Sequence, residues 1–239
     1  MGLDEYRRIL LVELEKTLAV RAGRPVRMLN AGSGLDPMPL HLLPKYPSLR
    51  VCLLDVSEKC LALNRQYLER KLVRQDLERI SFVSGNIFSL PFDRESFEVV
   101  YNTGVVEHFL DDDRARILKE VARVLTPNGL FLTLNPCARG KLYVHMKQHW
   151  ERIGRWRYGP EYPVASLVKP LRLAFPSFRL EERNVDFLDS AAMLAQHESP
   201  MLALFGRLMI RAARVSALDW VLRGVFGGYL LLSRVTKSE

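Results

Sequence analysis

The segment Gly32-Ser33-Gly34 follows the apolar stretch Val26, Met28, Leu29 and Ala31, and Asp55 closes the next apolar run, Val51 to Leu54. Glycines at such a turn let a ligand lie against bare backbone, and a carboxylate about twenty residues further on is placed to accept both hydroxyls of a ribose. Asp36 reads as a helix N-cap and Pro37 as the first helical residue. A dinucleotide fingerprint would set its third glycine at position 37, where Pro37 stands. A pyrophosphate would also need the helix end that Asp36 already caps. The pattern therefore suits a nucleoside without phosphates and disfavours a nicotinamide dehydrogenase. Further on, Glu107-His108 leaves the end of another apolar run. An imidazole there is a candidate base for taking a proton from an acceptor, and the alternative is that it only hydrogen-bonds its own loop.

These residues need elements to hold them, and the chain has the means to build one core. It has 239 residues, 48% of them apolar, with no internal repeat. Leu3, Tyr6, Ile9, Leu10, Leu14, Thr17 and Leu18 recur at helical spacing, so a helix is expected over 3–20, ended by Gly23 and Pro25 and packed over the edge of the cleft. A helix from Ser57 through Val73 follows the second strand, and Ile80 to Ser84 is a third strand. Phe97 to Asn102 reads as a fourth. Ile117, Leu118, Val121, Val124 and Leu125 form the buried stripe of a helix that opens on Asp111 to Asp113, and Leu130 to Leu134 is a fifth strand after the stop Pro127-Asn128-Gly129. Strands alternating with helices demand an α/β fold, a parallel sheet with ligands at its carboxyl ends.

Four landmarks in order, Leu29-Asn30-Ala31-Gly32-Ser33-Gly34, Leu54-Asp55, Gly85-Asn86-Ile87 with Leu90-Pro91-Phe92, and Val106-Glu107-His108-Phe109 followed by Arg123 to Gly129, give residues 26–136 their family likeness. This stretch resembles the class I S-adenosylmethionine-dependent methyltransferases of the small-molecule "type 11" or quinone-methyltransferase kind. The resemblance implies a Rossmann-like three-layer sandwich with a seven-stranded, mostly parallel sheet, the sixth strand at Phe178 to Leu188 and an antiparallel last strand at Gly228 to Ser233. It implies S-adenosyl-L-methionine as cofactor, leaving as S-adenosyl-L-homocysteine, with Asn30, Ala31, Gly32, Ser33 and Gly34 about the methionine part. Asp55 and Val56 would hold the ribose, Asn86 and Ile87 would flank the adenine, and Asn102 and Thr103 would complete the pocket. Many relatives carry an acidic residue where Asn30 stands, a glycine where Asp36 stands and an aspartate where Asn86 stands. Those departures motivate an alternative reading as a non-catalytic cofactor-binding or scaffold protein.

The expected organisation is one methyltransferase domain over 1–239, with an N-terminal helix in 1–24, the cofactor core at 26–136, a lid at 137–165 and a helical insertion at 190–227. The lid interleaves Lys141, Lys147, Arg152, Arg155 and Arg157 with Tyr143, Trp150, Trp156 and Tyr158. An RNA or protein methyltransferase is therefore a competing reading, one that predicts binding falling steeply with salt. No Asn-Pro-Pro-aromatic element follows the fourth strand, which disfavours methylation of adenine in nucleic acid; Asn135-Pro136 lies on the fifth strand instead. His145 and His149 stand four apart without a third ligand at a recognisable spacing, so no metal is assigned. In the insertion, Arg207, Arg211 and Arg214 share a helical face beside Leu204, Phe205, Leu208 and Met209. Such a pattern is compatible with peripheral membrane contact through 201–214, and the alternatives are packing on the domain, a homodimer contact or the lining of an apolar pocket. The expected reaction is methyl transfer to O, C or N of a small, lipophilic acceptor.

The net charge of +8 favours anionic partners or a solvated basic surface. Cys52, Cys60 and Cys137 provide no pairing framework, which points to a reducing compartment, and no basic, apolar, cleavable leader opens the sequence. The longest uncharged run, Val124 to Ala138, holds Pro127, Asn128 and Pro136 and cannot be a spanning helix. A cytoplasmic protein, free or at the membrane surface, is the expectation.

Overall fold

The computed structural model describes residues 4–238, so Leu3 lies outside the described residues. Helix α1 (Glu5–Ala19) leads into β1 (Val26–Ala31), α2 (Met38–Leu42), β2 (Leu49–Asp55), α3 (Glu58–Glu69), α4 (Arg74–Leu77) and β3 (Ile80–Ser84). Then come β4 (Phe97–Thr103), a 3-10 turn at Val106–His108, α5 (Asp111–Val124) and β5 (Leu125–Pro136). The remainder is α6 (Lys141–Arg152), α7 (Val168–Ala174), β6 (Phe178–Val185), α8 (Phe187–Leu194), α9 (Pro200–Ala212), α10 (Ser216–Phe226) and β7 (Leu230–Lys237).

The strands form one seven-stranded sheet in the order β3-β2-β1-β4-β5-β7-β6. β7 runs antiparallel to both of its neighbours and the other pairs are parallel, as the family likeness implies. Chain order reverses between β1 and β4, and that switch point opens a crevice at the carboxyl ends of the strands. Apolar residues on both sides of the strands are covered. Leu10, Leu14 and Leu18 of α1 and Leu42 of α2 pack with Met28, Leu53 and Tyr101 on one face. Ile117, Leu118 and Val121 of α5 pack with Leu29, Leu54 and Val100 on the other.

Several boundaries differ from the sequence expectation for identifiable reasons. The helix begun by Ser57, whose hydroxyl accepts the Cys60 N–H, ends at Glu69 rather than Val73, and the chain re-enters a separate single turn, α4. β5 begins at Leu125 because the Pro127-Asn128-Gly129 segment is carried as an irregularity in the ladder: Phe97 pairs with Leu125, and Val99 next pairs with Leu130. β6 stops at Val185, where Asp186 turns left-handed (φ 63°) and caps α8 through the Asp189 N–H. β7 starts two residues later than expected and runs on to Lys237. α7, which packs on α5, was not anticipated.

The lid and the insertion meet in a third apolar cluster, where Leu142 and Met146 of α6 pack with Phe187, Ala191, Leu194 and Met209. α8 and α9 touch through backbone at Gly206, where an added Cβ would lie 2.5 Å from the Ala195 nitrogen and 2.9 Å from the Ala191 oxygen. Neither atom can swing aside as a side chain would. Gly206→Ala is therefore expected to lower unfolding stability by about 1–3 kcal/mol while leaving cofactor affinity at the far crevice unchanged, which denaturant melts and calorimetry would check.

Candidate active site

Two cavities meet at the carboxyl ends of β1, β2 and β4. The larger, ≈ 640 Å³, is walled by Gly32, Ser33 and Gly34 after β1, by Asp55 and Val56 after β2, by Gly85 to Phe88 after β3, and by Thr103, Gly104 and Val105 after β4. Tyr6 and Arg7 of α1 close one side, as expected of that helix. Gly32 is required where it stands: its φ is +89°, and a Cβ would come within 2.7 Å of Val105 Cγ2.

The Asp55 carboxylate organises the turn. One oxygen accepts the Gly34 N–H (2.8 Å) and the other the Ser57 N–H (2.9 Å). Each keeps a further lone pair for a hydroxyl donor. Asn64 holds the same turn from α3, donating to the Gly34 carbonyl at 3.0 Å. Ser33 Oγ is buried without a partner beside the cavity, a polar group that a bound ligand can satisfy.

Of the residues anticipated for cofactor binding, Gly32, Ser33, Gly34, Asp55, Val56, Asn86, Ile87 and Thr103 line this cavity. Asn30, Ala31 and Asn102 do not; they are buried within their strands beneath it. Asn102 Oδ1 accepts from Thr133 Oγ1 in the sheet interior. Asn86 is at the rim, but its side-chain oxygen accepts the Phe88 N–H at 2.9 Å and so shapes its own loop. Asp36 is not the N-cap residue of α2, a place taken by Pro37, although its carboxylate does accept the Met38 N–H at 2.9 Å. That carboxylate is buried, receives Asn30 Nδ2 at 2.9 Å and the Tyr101 hydroxyl, and burial raises its pKa. The Asn30–Asp36–Tyr101 cluster is a positioning device under the glycine turn. Tyr101→Phe should destabilise the fold by about 1–3 kcal/mol by removing a donor from a buried carboxylate, as read by urea unfolding.

The second cavity, ≈ 410 Å³, adjoins the first and shares Tyr6, Thr103, Gly104 and His108 with it. It is bounded by four carboxyl residues, Asp4, Glu107, Glu161 and Asp189, with Tyr158, Tyr229 and Met193, and neither lysine nor arginine lines it. Glu107 is almost fully buried and its Oε2 has no partner. Burial is the main cause that pushes its pKa up to about 7; the Glu161 charge adds to the rise, while His108 and Arg114 oppose it. Glu161 is also raised, chiefly by burial, and accepts from the Tyr143 hydroxyl at 2.9 Å. Burial and neighbouring carboxylates push the Tyr143 and Tyr229 phenols far up, so both remain protonated donors. Arg114 fastens the Val106–His108 turn to the lid, donating to the Val106 carbonyl at 2.9 Å and to the Tyr162 carbonyl.

His108 sits between the two cavities. Its Nδ1 lies 2.9 Å from the Pro160 carbonyl, which can only accept, so the neutral ring leaves a lone pair on Nε2. Sequence reasoning singled out His108 and passed over Glu107 beside it, because burial and the approach of Glu161 are not visible in one dimension. The partners of His149 also come from a distance, and His145 is not among them. His149 Nε2 meets Glu198 at 2.5 Å and its ring stacks on His197 at 4.2 Å, while the Ser199 N–H donates to His197 Nδ1.

Residues 29–133 match the methyltransferase-domain family. The chain is 27% identical over 136 residues to the demethylmenaquinone methyltransferase of Chlorobaculum tepidum, covering 57% of this chain and 51% of that one. It is 29% identical over 121 residues to the uncharacterized methyltransferase YcgJ of Bacillus subtilis, covering 50% of this chain and 44% of that one. Residues 29–133 form a class I S-adenosylmethionine-dependent methyltransferase domain. The crystal structure of YcgJ superimposes with a TM-score of 0.61 at 17% identity, over 96% of this chain and 98% of that one. The aligned sequence spans about half the length of these two methyltransferases, whereas the likeness of fold runs through nearly the whole chain. The glycine turn of the larger cavity, the spare lone pairs of Asp55 and the orphaned Ser33 hydroxyl fit a nucleoside-bearing sulfonium with no phosphate.

Proposed function

We propose that the chain transfers a methyl group from S-adenosylmethionine to the nitrogen of a small amine held in the ≈ 410 Å³ chamber. The observation that carries this reading is the chamber's lining: four carboxyl residues and three tyrosines, Tyr6, Tyr158 and Tyr229, without a basic side chain other than His108. Carboxylates crowded in a partly buried site repel one another, and a cation among them relieves both the repulsion and the desolvation. Tyrosine faces add cation–π attraction. This lining leads us to replace the lipophilic acceptor expected from the sequence with a polar, cationic one. The cofactor, when bound, would supply an electrophilic methyl whose S–C bond pair stays with the sulfur as the acceptor's lone pair bonds to the carbon. The chain's own task is to orient the acceptor and to expose its lone pair. Ionised Glu107 Oε2 accepts the proton that the ammonium form must lose, and Glu161 and Tyr229 fix the acceptor's polar groups.

The RNA reading is disfavoured by the state of the lid. Lys141 donates to the Val225 carbonyl, Lys147 pairs with Glu151 and lies over Trp156, and Arg155 pairs with Glu198. Trp150 and Trp156 lie close to each other, and Trp156 also lies near Tyr143, so the aromatic groups serve the cap itself. Two of the three departures that suggested a scaffold are coordinated, since the acid missing at Asn30 is supplied by Asp36, bonded to it.

The test is a panel of small amines and matched neutral alcohols, incubated with protein and methyl-labelled S-adenosylmethionine. Label is expected in amines alone, with little dependence on salt. Label in the alcohols, or in RNA with a steep salt dependence, would refute the amine assignment.

A further inference from the structure

The lid and insertion leave one surface that the site does not use. On α9, Ala203, Gly206 and Met209 face inward, while Met201, Leu204, Phe205 and Leu208 lie exposed on the opposite side at i, i+3, i+4, i+7 spacing. Met201 keeps 81% of its surface in solvent. α10 adjoins this helix through the Phe205 and Phe226 rings, 6.4 Å apart, and carries the exposed Trp220 (77%) and Val221. An apolar surface of this continuity signals a partner.

The charges flanking the stripe say which partner. Arg207 and Arg211 are exposed on α9 and Arg214 in the turn that follows it, and none of the three makes an ion pair with a carboxylate among the described residues. The nearby acid Asp219 is taken by Arg223. A two-fold interface between copies would set like face on like face and bring unneutralised arginines together, which disfavours a second copy. Helices with an apolar face and arginines along its border lie in the plane of a membrane interface, apolar residues in the acyl boundary and guanidinium groups at the phosphates. No helix among the described residues is long and apolar enough to cross a membrane, so contact through this surface is peripheral.

We infer that the α9–α10 face docks the protein on an anionic lipid bilayer, with Met201, Phe205 and Trp220 inserted at the interface and Arg207, Arg211 and Arg214 at the lipid phosphates. The docked cap is also a wall of the acceptor chamber, through Asp189 and Met193 of α8, which packs against α9 at Gly206. Membrane contact and the chamber therefore share one rigid cluster.

The experiment is flotation of the full chain with vesicles of phosphatidylcholine alone, or of phosphatidylcholine with one part in three phosphatidylglycerol, at low and high salt. The protein should float with the anionic vesicles, and much less with the neutral ones. Each arginine near such a surface contributes about a fivefold factor, so the combined Arg207→Gln, Arg211→Gln, Arg214→Gln variant should lose on the order of 100-fold in partitioning. Trp220→Ser should weaken binding and remove a vesicle-induced blue shift in tryptophan emission. All these residues are exposed and outside the cofactor cavity, so melting temperature and S-adenosylmethionine affinity are expected to stay at wild-type values. Equal flotation with both vesicle types, or none, would overturn the inference. So would a dimer in sedimentation equilibrium that Trp220→Ser dissociates, or RNA that binds this face more tightly than the vesicles do.

Discussion

Glu107→Gln is expected to lower turnover by about 10²–10⁴-fold, the usual contribution of a positioned general base, with S-adenosylmethionine affinity left nearly unchanged. The amide fills the same space but cannot take a proton. In the wild type, Glu107 is in the competent ionised form only above its pKa of about 7, so the rate should climb with pH below that value and level off above it. The variant should lose that limb of the profile. The charged groups that set the limb are Glu161, which raises it, and His108 and Arg114, which lower it. His108→Gln, by contrast, should reduce turnover only modestly and shift the limb, since its ring is fixed to the Pro160 carbonyl and acts on Glu107 through space. A Glu107→Gln enzyme with full turnover would transfer the base to another group.

The same residue makes a stability prediction of opposite sign. A carboxyl whose pKa is raised on folding stabilises the folded state below its unfolded pKa, and that contribution is lost as pH rises through the folded value. For Glu107 the window runs from 4.5 to about 7, and the loss is about 3 kcal/mol in order of magnitude. Glu107→Gln should therefore unfold at a higher denaturant midpoint than wild type at pH 8, and the gap should close near pH 5.

Asp55→Ala is expected to weaken S-adenosylmethionine binding by about 1–3 kcal/mol, or roughly 5- to 150-fold. The carboxylate does two things at once: it offers lone pairs to the ribose hydroxyls, and it holds the Gly34 and Ser57 N–H groups that define the turn. Asp55→Asn should not rescue binding, because its NH2 would face one of those N–H donors. An unchanged dissociation constant in either variant would remove Asp55 from the site.

The cofactor half of the site was legible because it is local. A strand, a glycine turn and a strand-end carboxylate recur in order along the chain, and parallel topology brings them to one edge. Side chains inside the strands were misread for the same reason: alternation places Asn30 and Asn102 near the site in sequence yet turns them into the sheet. The acceptor chamber was not legible. Glu107, Glu161, Asp189 and Tyr229 come from four distant segments, and the close approach of the first two depends on Arg114 clamping the lid loop to the turn after β4. The basic and aromatic lid read as a nucleic-acid surface because its ion pairs with Glu151 and Glu198 and its internal ring contacts are tertiary.

The most direct test of the central claim is calorimetric titration of the purified protein with S-adenosylmethionine, S-adenosylhomocysteine and NADH. Saturable one-to-one binding of the first two and none of the third is the predicted result, with heats that collapse in Asp55→Ala. Binding of NADH, or failure of both adenosyl compounds to bind a folded protein, would contradict the assignment of the cavity between β1, β2 and β4 to S-adenosylmethionine.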